Sequence, residues 1–154
     1  MSMQRKALFP GSFDPITRGH ESIVRRAAQL FDEVVVGIGN HSEKKYMFTV
    51  EERLEMISAV FPEPNITVTA YEGLTVEFAK SIGAGFMLRG LRNSTDFKYE
   101  RDIAFMNKAI SGIETVLLLT EPEYAAINST IVRDIIKNDG EVSAFLPEGM
   151  VIPK

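Results

Sequence analysis

The segment best suited to chemistry on a phosphate is Phe9-Pro10-Gly11-Ser12-Phe13-Asp14-Pro15-Ile16-Thr17-Arg18-Gly19-His20, a glycine- and proline-rich turn that runs straight into a helix. Gly11 allows backbone amides to approach a ligand closely. Ser12 adds a hydroxyl, and the helix start adds unpaired N–H groups and the positive end of a dipole. His20, in the first turn, would aim a ring N–H at the same place. Taken alone, such a histidine is more often an exposed first-turn residue, and it is the surrounding turn that favours a ligand. Arg89 and Arg92 flank Gly90 just after an apolar run, so two cations could face a ligand that the backbone approaches. By themselves, loop arginines are more often solvated. Lys44-Lys45 reads first as soluble surface, and Glu100 as a salt-bridge partner for a basic residue one turn away on its helix. No side chain looks like a covalent nucleophile beside its base, so these groups point to positioning and charge stabilisation.

Elements of two kinds must hold these residues. Short apolar runs at Ala7–Phe9, Glu33–Ile38, Ile66–Ala70, Phe86–Leu88 and Thr115–Leu119 read as buried strands. Between them lie stretches of helical period. The first, Gly19 to Leu30, brings Ile23, Val24, Ala27, Leu30 and Phe31 onto one face. The second opens on Thr49-Val50-Glu51-Glu52, a capping box, and carries Leu54, Ile57 and Phe61 as its stripe. A third runs from Leu74 to Ile82 and stops at Gly83. A fourth, Asp96 to Ile110, aligns Tyr99, Ile103, Met106 and Ile110, and a last one spans Ser129 to Asn138 with Gly140 beyond it. This alternation predicts the α/β class: a single doubly wound, Rossmann-like domain over residues 1–154, with a five-stranded parallel sheet and right-handed crossovers. Ligands then belong beyond the carboxyl ends of the strands, where strand order reverses. That rule selects residues 10–20, 39–48, 71–75, 89–96 and 120–130.

Composition narrows the function classes. The chain has 154 residues, 45% hydrophobic and 25% charged, which suits one globular core and excludes a disordered chain. A net charge of −4 argues against a long polyanion, so no nucleic-acid partner is expected, whereas a small anion needs only a few placed cations. The absence of cysteine excludes disulfides, thiolate metal sites and a cysteine nucleophile. The apolar run after Lys6 is too short for a signal peptide or a membrane span, so no membrane association and a cytoplasmic location are expected.

Gly11-Ser12-Phe13-Asp14-Pro15-Ile16-Thr17 with Gly19-His20 resembles the first signature of the nucleotidylyltransferase superfamily, whose histidine touches the ATP phosphates. Ile127-Asn128-Ser129-Thr130-Ile131-Val132-Arg133 approaches the second, Ile-Ser-Ser-Thr-x-x-Arg. Over nearly its full length the chain resembles the bacterial phosphopantetheine adenylyltransferases. The narrowing features are Lys44-Lys45 with Met47-Phe48-Thr49, Leu88-Arg89-Gly90-Leu91-Arg92, Asp96-Phe97-Lys98-Tyr99-Glu100, Met106-Asn107 and Phe145-Leu146-Pro147. Two positions depart from the pattern. Asn128 stands where serine is usual, which touches one hydroxyl contact to nucleotide phosphate, and Tyr46 stands where proline is common, which touches loop shape.

The resemblance implies a nucleotidyltransferase that moves AMP from ATP to 4'-phosphopantetheine, giving dephospho-coenzyme A and pyrophosphate. It assigns Ser12, Lys44, Thr75 and Arg89 to the acceptor. To ATP it assigns Ser12, Phe13, His20, Gly90, Leu91, Arg92, Glu100, Tyr124, Ala125, Ala126, Ile127, Asn128, Ser129 and Thr130. It also implies a homohexamer and feedback inhibition by coenzyme A. In such a reaction the acceptor's phosphate oxygen attacks the α-phosphorus in line, with His20, Lys44 and Arg92 as the catalytic charges. Mg2+ is expected on the phosphate oxygens rather than in an all-protein metal cage. Two other readings stand beside this one: a nicotinamide or nicotinate mononucleotide adenylyltransferase, whose pocket must stack a pyridine ring, and a sensor that holds ATP without turnover. The sensor leaves Lys44, Arg89 and Arg92 without a task.

Overall fold

The computed structural model describes residues 4–153. In chain order its main elements are β1 (Lys6–Gly11), α1 (Arg18–Ala27), β2 (Glu33–Gly39), α2 (Val50–Val60), β3 (Ile66–Tyr71), α3 (Thr75–Ser81), β4 (Phe86–Leu91), α4 (Ser94–Ser111), β5 (Glu114–Leu119) and α5 (Ser129–Lys137). The strands form one sheet in the order β3-β2-β1-β4-β5, and every pairing is parallel. Strand alternation explains the layers, because successive side chains point to opposite faces. Ala7, Phe9, Val34, Val36 and Leu88 meet Ile23, Val24 and Ala27 of α1 and Ile57 of α2 on one face. Leu8, Val35 and Met87 meet Val76 and Ala79 of α3 on the other. Strand order reverses between β1 and β4, as the alternation predicts for a doubly wound sheet.

The differences from expectation lie at element ends and on one helix face. β4 continues past Leu88 because Arg89, Gly90 and Leu91 pair with Leu117, Leu118 and Leu119. Arg89 therefore belongs to the end of a strand rather than to a loop. α1 stops at Ala27, and Leu30, read as part of its apolar face, is 56% exposed. The Thr49 capping box forms as expected, with Glu52 N–H on the Thr49 hydroxyl and Thr49 N–H on the Glu52 carboxylate. The aligned apolar residues of α4 do not enter the core: Tyr99, Ile103, Met106 and Ile110 are all exposed, and the buried residue of that helix is Glu100. No helix among the described residues is long and apolar enough to cross a membrane.

Candidate active site

The turn after β1 is built around aromatic packing. A Cβ on Gly11 would lie 2.9 Å from the Phe13 ring, so only glycine leaves room for that ring. Phe13 itself takes a left-handed backbone, φ 48°, a conformation uncommon outside glycine. Its ring packs edge-on against Phe9 and His20, with centroids 5.4 and 5.0 Å apart. Thr17 caps α1 through a reciprocal box in which His20 takes the third position. The His20 amide donates to the Thr17 hydroxyl, and the Thr17 amide donates to His20 Nδ1 at 3.0 Å. A backbone N–H can only donate, so Nδ1 is the acceptor and the ring proton sits on Nε2. His20 lines the cleft.

Burial among the two phenylalanines, reinforced by the Arg89 and Arg92 charges, lowers the His20 pKa from 6.5 to about 4. The imidazole is neutral at physiological pH and serves as a hydrogen-bond donor. Nitrogen-detected NMR of the ligand-free protein should find His20 with its proton on Nε2 and a midpoint near pH 4. A midpoint near 6.5 would contradict the packing. Because the folded pKa lies below the unfolded one, the associated stability is complete above about pH 6.5 and drains away as pH falls through about 4.

The cations are held by acids and carbonyls. Arg89 makes a two-pronged pair with Glu100, both bonds at 2.9 Å, and also donates to the Pro10 carbonyl. Glu100 thus pairs across to β4, not one turn along its own helix. This fork fixes the guanidinium plane and leaves two of its five N–H groups for a ligand. Arg92 is anchored by Asp96 at 3.1 Å. Lys44, exposed on the loop after β2, reaches Ser12 Oγ at 3.1 Å.

α5 closes the far side of the cleft. Its cap is Asn128, whose Oδ1 accepts the Ile131 amide at 2.8 Å, the job a serine would do. Ser129 Oγ donates to the Pro15 carbonyl, and Arg133 donates to the Asp14 carbonyl and to Thr130 Oγ1. This helix end is therefore sewn to the turn after β1. Asn128→Ser should preserve the cap and leave stability nearly unchanged, whereas Thr130→Val should cost about 1 kcal/mol of stability by losing the hydrogen bond from Arg133. Thermal denaturation of each variant checks both. A larger loss from Asn128→Ser than from Thr130→Val would contradict the cap.

Two adjoining cavities occupy the cleft. One, of about 290 Å³, is lined by Ser12, Phe13, His20, Gly90, Arg92, Tyr124, Ile127, Asn128 and Ser129 among others. The other, of about 420 Å³, is lined by His41, Lys44, Tyr71, Leu74 and Thr75 together with residues of α4. Pro10, Gly11, Ser12, Arg89 and Glu100 border both. The expected site residues thus converge from five separate segments of the chain. Leu91, Ala125, Ala126 and Thr130 lie next to the cleft in sequence but do not line it. Asp14, Thr17 and Arg133 stood within the two signatures with no role of their own assigned, and Arg53 escaped the sequence reading altogether. Thr17-x-x-His20 has capping-box spacing, but with histidine where glutamate or glutamine is the usual signal.

Residues 8–135, which contain most of this cleft, match the cytidylyltransferase-like family. A phosphopantetheine adenylyltransferase from Flavobacterium johnsoniae is 51% identical over 97% of this chain and 99% of its own. The chain belongs to the phosphopantetheine adenylyltransferase family. Other members of that family, from Flavobacterium psychrophilum and Leuconostoc citreum, are each 50% identical, covering 95% and 94% of this chain and 97% and 93% of their own lengths. The lipopolysaccharide core biosynthesis protein from Thermoplasma volcanium superposes with a TM-score of 0.56 at 19% identity, over 77% of this chain and 98% of its own, and shares the fold. Phosphopantetheine adenylyltransferases therefore supply the frame in which the two cavities are read.

Proposed function

We propose that this protein transfers AMP from ATP to 4'-phosphopantetheine, releasing pyrophosphate and forming dephospho-coenzyme A. The observation that carries the reading is the pair of adjoining cavities with Ser12 and Arg89 on their common border. ATP occupies the cavity of His20, Arg92 and the α5 end. The acceptor occupies the cavity of Lys44 and Thr75, its phosphate at the border. An oxygen of that phosphate attacks the α-phosphorus in line as the bond to the pyrophosphate oxygen breaks. Lys44 and the His20 Nε2–H face the charge that builds in this transfer, and Arg92 takes part of the charge on the departing group. Arg89, clamped by Glu100, holds the acceptor phosphate still.

The acids that line the ATP cavity are committed within the protein, which leaves a magnesium ion to be carried by the nucleotide. Glu100 is paired with Arg89 and Asp96 with Arg92, and among the described residues no group of three or more His, Asp or Glu side chains is arranged to hold a metal. Mg2+ takes most of its ligands from phosphate and water. Bound there, it would neutralise phosphate charge.

Pyrophosphate release from ATP and magnesium should require phosphopantetheine and yield dephospho-coenzyme A. Turnover with nicotinate mononucleotide but not with phosphopantetheine would overturn the assignment, and ATP binding with no turnover on any acceptor would make the protein a sensor. Arg89→Ala should raise KM for the acceptor about tenfold with a smaller change in kcat, because a lost charged hydrogen bond is worth about 1.5–3 kcal/mol. Varying each substrate in turn tests it. An effect on KM for ATP alone would move Arg89 out of the acceptor site.

Three further readings belong with this function. The exposed face of α4, with Tyr99 and Phe105 both 67% and Met106 63% exposed, suits burial between copies of the chain, in the homohexamer that the family resemblance implies. Sedimentation equilibrium reads its mass directly. Coenzyme A contains the whole acceptor and acts as a feedback inhibitor by competing for the Lys44–Thr75 cavity. The enzyme works in the cytoplasm, where its two substrates meet.

A further inference from the structure

Arg53 is buried completely, on the core side of α2 beside Met56 and Ile57. An arginine costs several kcal/mol to bury unless its donors are met. Here four of the five are met: Nε by the Phe48 carbonyl at 3.2 Å, Nη1 by the carbonyls of Ser12 at 2.9 Å and Gly39 at 3.1 Å, and Nη2 by Asn40 Oδ1 at 3.1 Å. The Asp14 carboxylate balances the charge from nearby. The same carboxylate accepts the amides of Met47 and Phe48.

These partners are distributed in a telling way. Ser12 belongs to the turn after β1, Gly39 and Asn40 to the end of β2 and the residue after it, and Phe48 to the turn leading into α2, so one guanidinium joins three segments around the acceptor cavity. Between Asn40 and Phe48 lies the loop that carries Lys44. The Tyr46 ring covers the outer face of the guanidinium, 4.0 Å from its carbon. Its hydroxyl accepts the His41 amide, while the Lys44 amide donates to the His41 carbonyl. The loop is folded on itself and laid on Arg53, and Lys44 Nζ then reaches Ser12 Oγ. A lysine on a free loop would spread its charge over many positions.

We infer that Arg53, with Tyr46 stacked on it, is a positioning residue that fixes the Lys44 loop and so sets where the Lys44 ammonium meets the transferring group. The inference rests on the adenylyl transfer proposed above for its kinetic consequence, and on the loop contacts alone for its structural one. A merely structural Arg53–Tyr46 contact would lower stability without acting through Lys44.

Tyr46 is the residue to vary first, because it is only partly buried and its loss leaves the Arg53 hydrogen bonds intact. Tyr46→Leu should lower kcat about tenfold and leave KM for ATP within about twofold, since a displaced catalytic group costs rate rather than nucleotide binding. Tyr46→Phe keeps the stack and should stay within about threefold of the parent rate. In a Lys44→Ala background the effect of Tyr46→Leu should vanish, because a residue that acts through Lys44 has nothing left to act on. Equal losses with and without Lys44, or unchanged kcat in Tyr46→Leu, would overturn the inference. Amide hydrogen exchange over residues 41–46 of the ligand-free protein separates this from the functional reading. Faster exchange in Tyr46→Leu supports the clamp even if phosphopantetheine proves not to be the acceptor, and unchanged exchange rejects it. Failure of the parent protein to turn over phosphopantetheine would reject the functional reading alone. Arg53→Lys, which keeps the charge but not the fork, should reproduce the same kcat loss with a lower Tm.

Discussion

His20→Ala is expected to lower kcat by roughly 10² to 10³, about 3–4 kcal/mol, the scale on which a preorganised donor aimed at developing charge acts. The cause is specific to this site. The Thr17 amide occupies Nδ1, so the one proton of the neutral ring is on Nε2, and Phe9 and Phe13 pack against the ring and hold it in place. KM for ATP should stay within about tenfold, because on the proposed assignment Arg92 and the α5 terminus still bind the triphosphate, and a donor that matters chiefly in the transition state appears in kcat. The substitution also strips the Thr17 amide of its acceptor, so Tm should fall modestly, by an amount corresponding to about 1 kcal/mol for a lost cap. Pre-steady-state and steady-state rates with both substrates saturating decide the matter. Normal turnover would reduce His20 to a capping residue.

Lys44→Ala is expected to lower kcat by about 10², with KM for the acceptor changed less, since a mobile ammonium can follow a phosphoryl group as it moves whereas a guanidinium fork holds a static one. Lys44 is exposed and its described hydrogen-bond partner is Ser12. Its removal therefore breaks no buried network, and Tm should not change. That separates it from Arg89, whose loss leaves the buried Glu100 carboxylate alone. If Lys44→Ala instead raised KM for ATP with kcat intact, the ammonium would belong to nucleotide binding, and the division between the two cavities would have to be redrawn.

The sheet was legible because parallel strands buried on both faces must be apolar throughout, and the runs at Glu33–Ile38 and Phe86–Leu88 announce themselves by composition. Helix ends were legible where caps follow a familiar pattern, as at Thr49–Glu52, and Asn128 caps α5 as its chemistry predicts. The Thr17–His20 box was not, because its third-position partner is a ring nitrogen. Arg53 was not, because a charged residue directly after a capping box ordinarily faces water, and only the meeting of three carbonyls makes its burial favourable.

By itself the sequence determined the α/β class, the switch-point location of the site and the residue types that could serve phosphate transfer, because periodicity and turn chemistry are local properties of the chain. Only the tertiary structure decided which donors are free and which are committed. Glu100 became the clamp of Arg89, the α4 apolar face was left outside the core, and the His20 tautomer was fixed by a backbone amide. Each of these depends on groups brought together from distant segments or on the angle at which a helix meets the sheet, and hydrogen bonding and desolvation are settled by that meeting rather than by spacing along the chain.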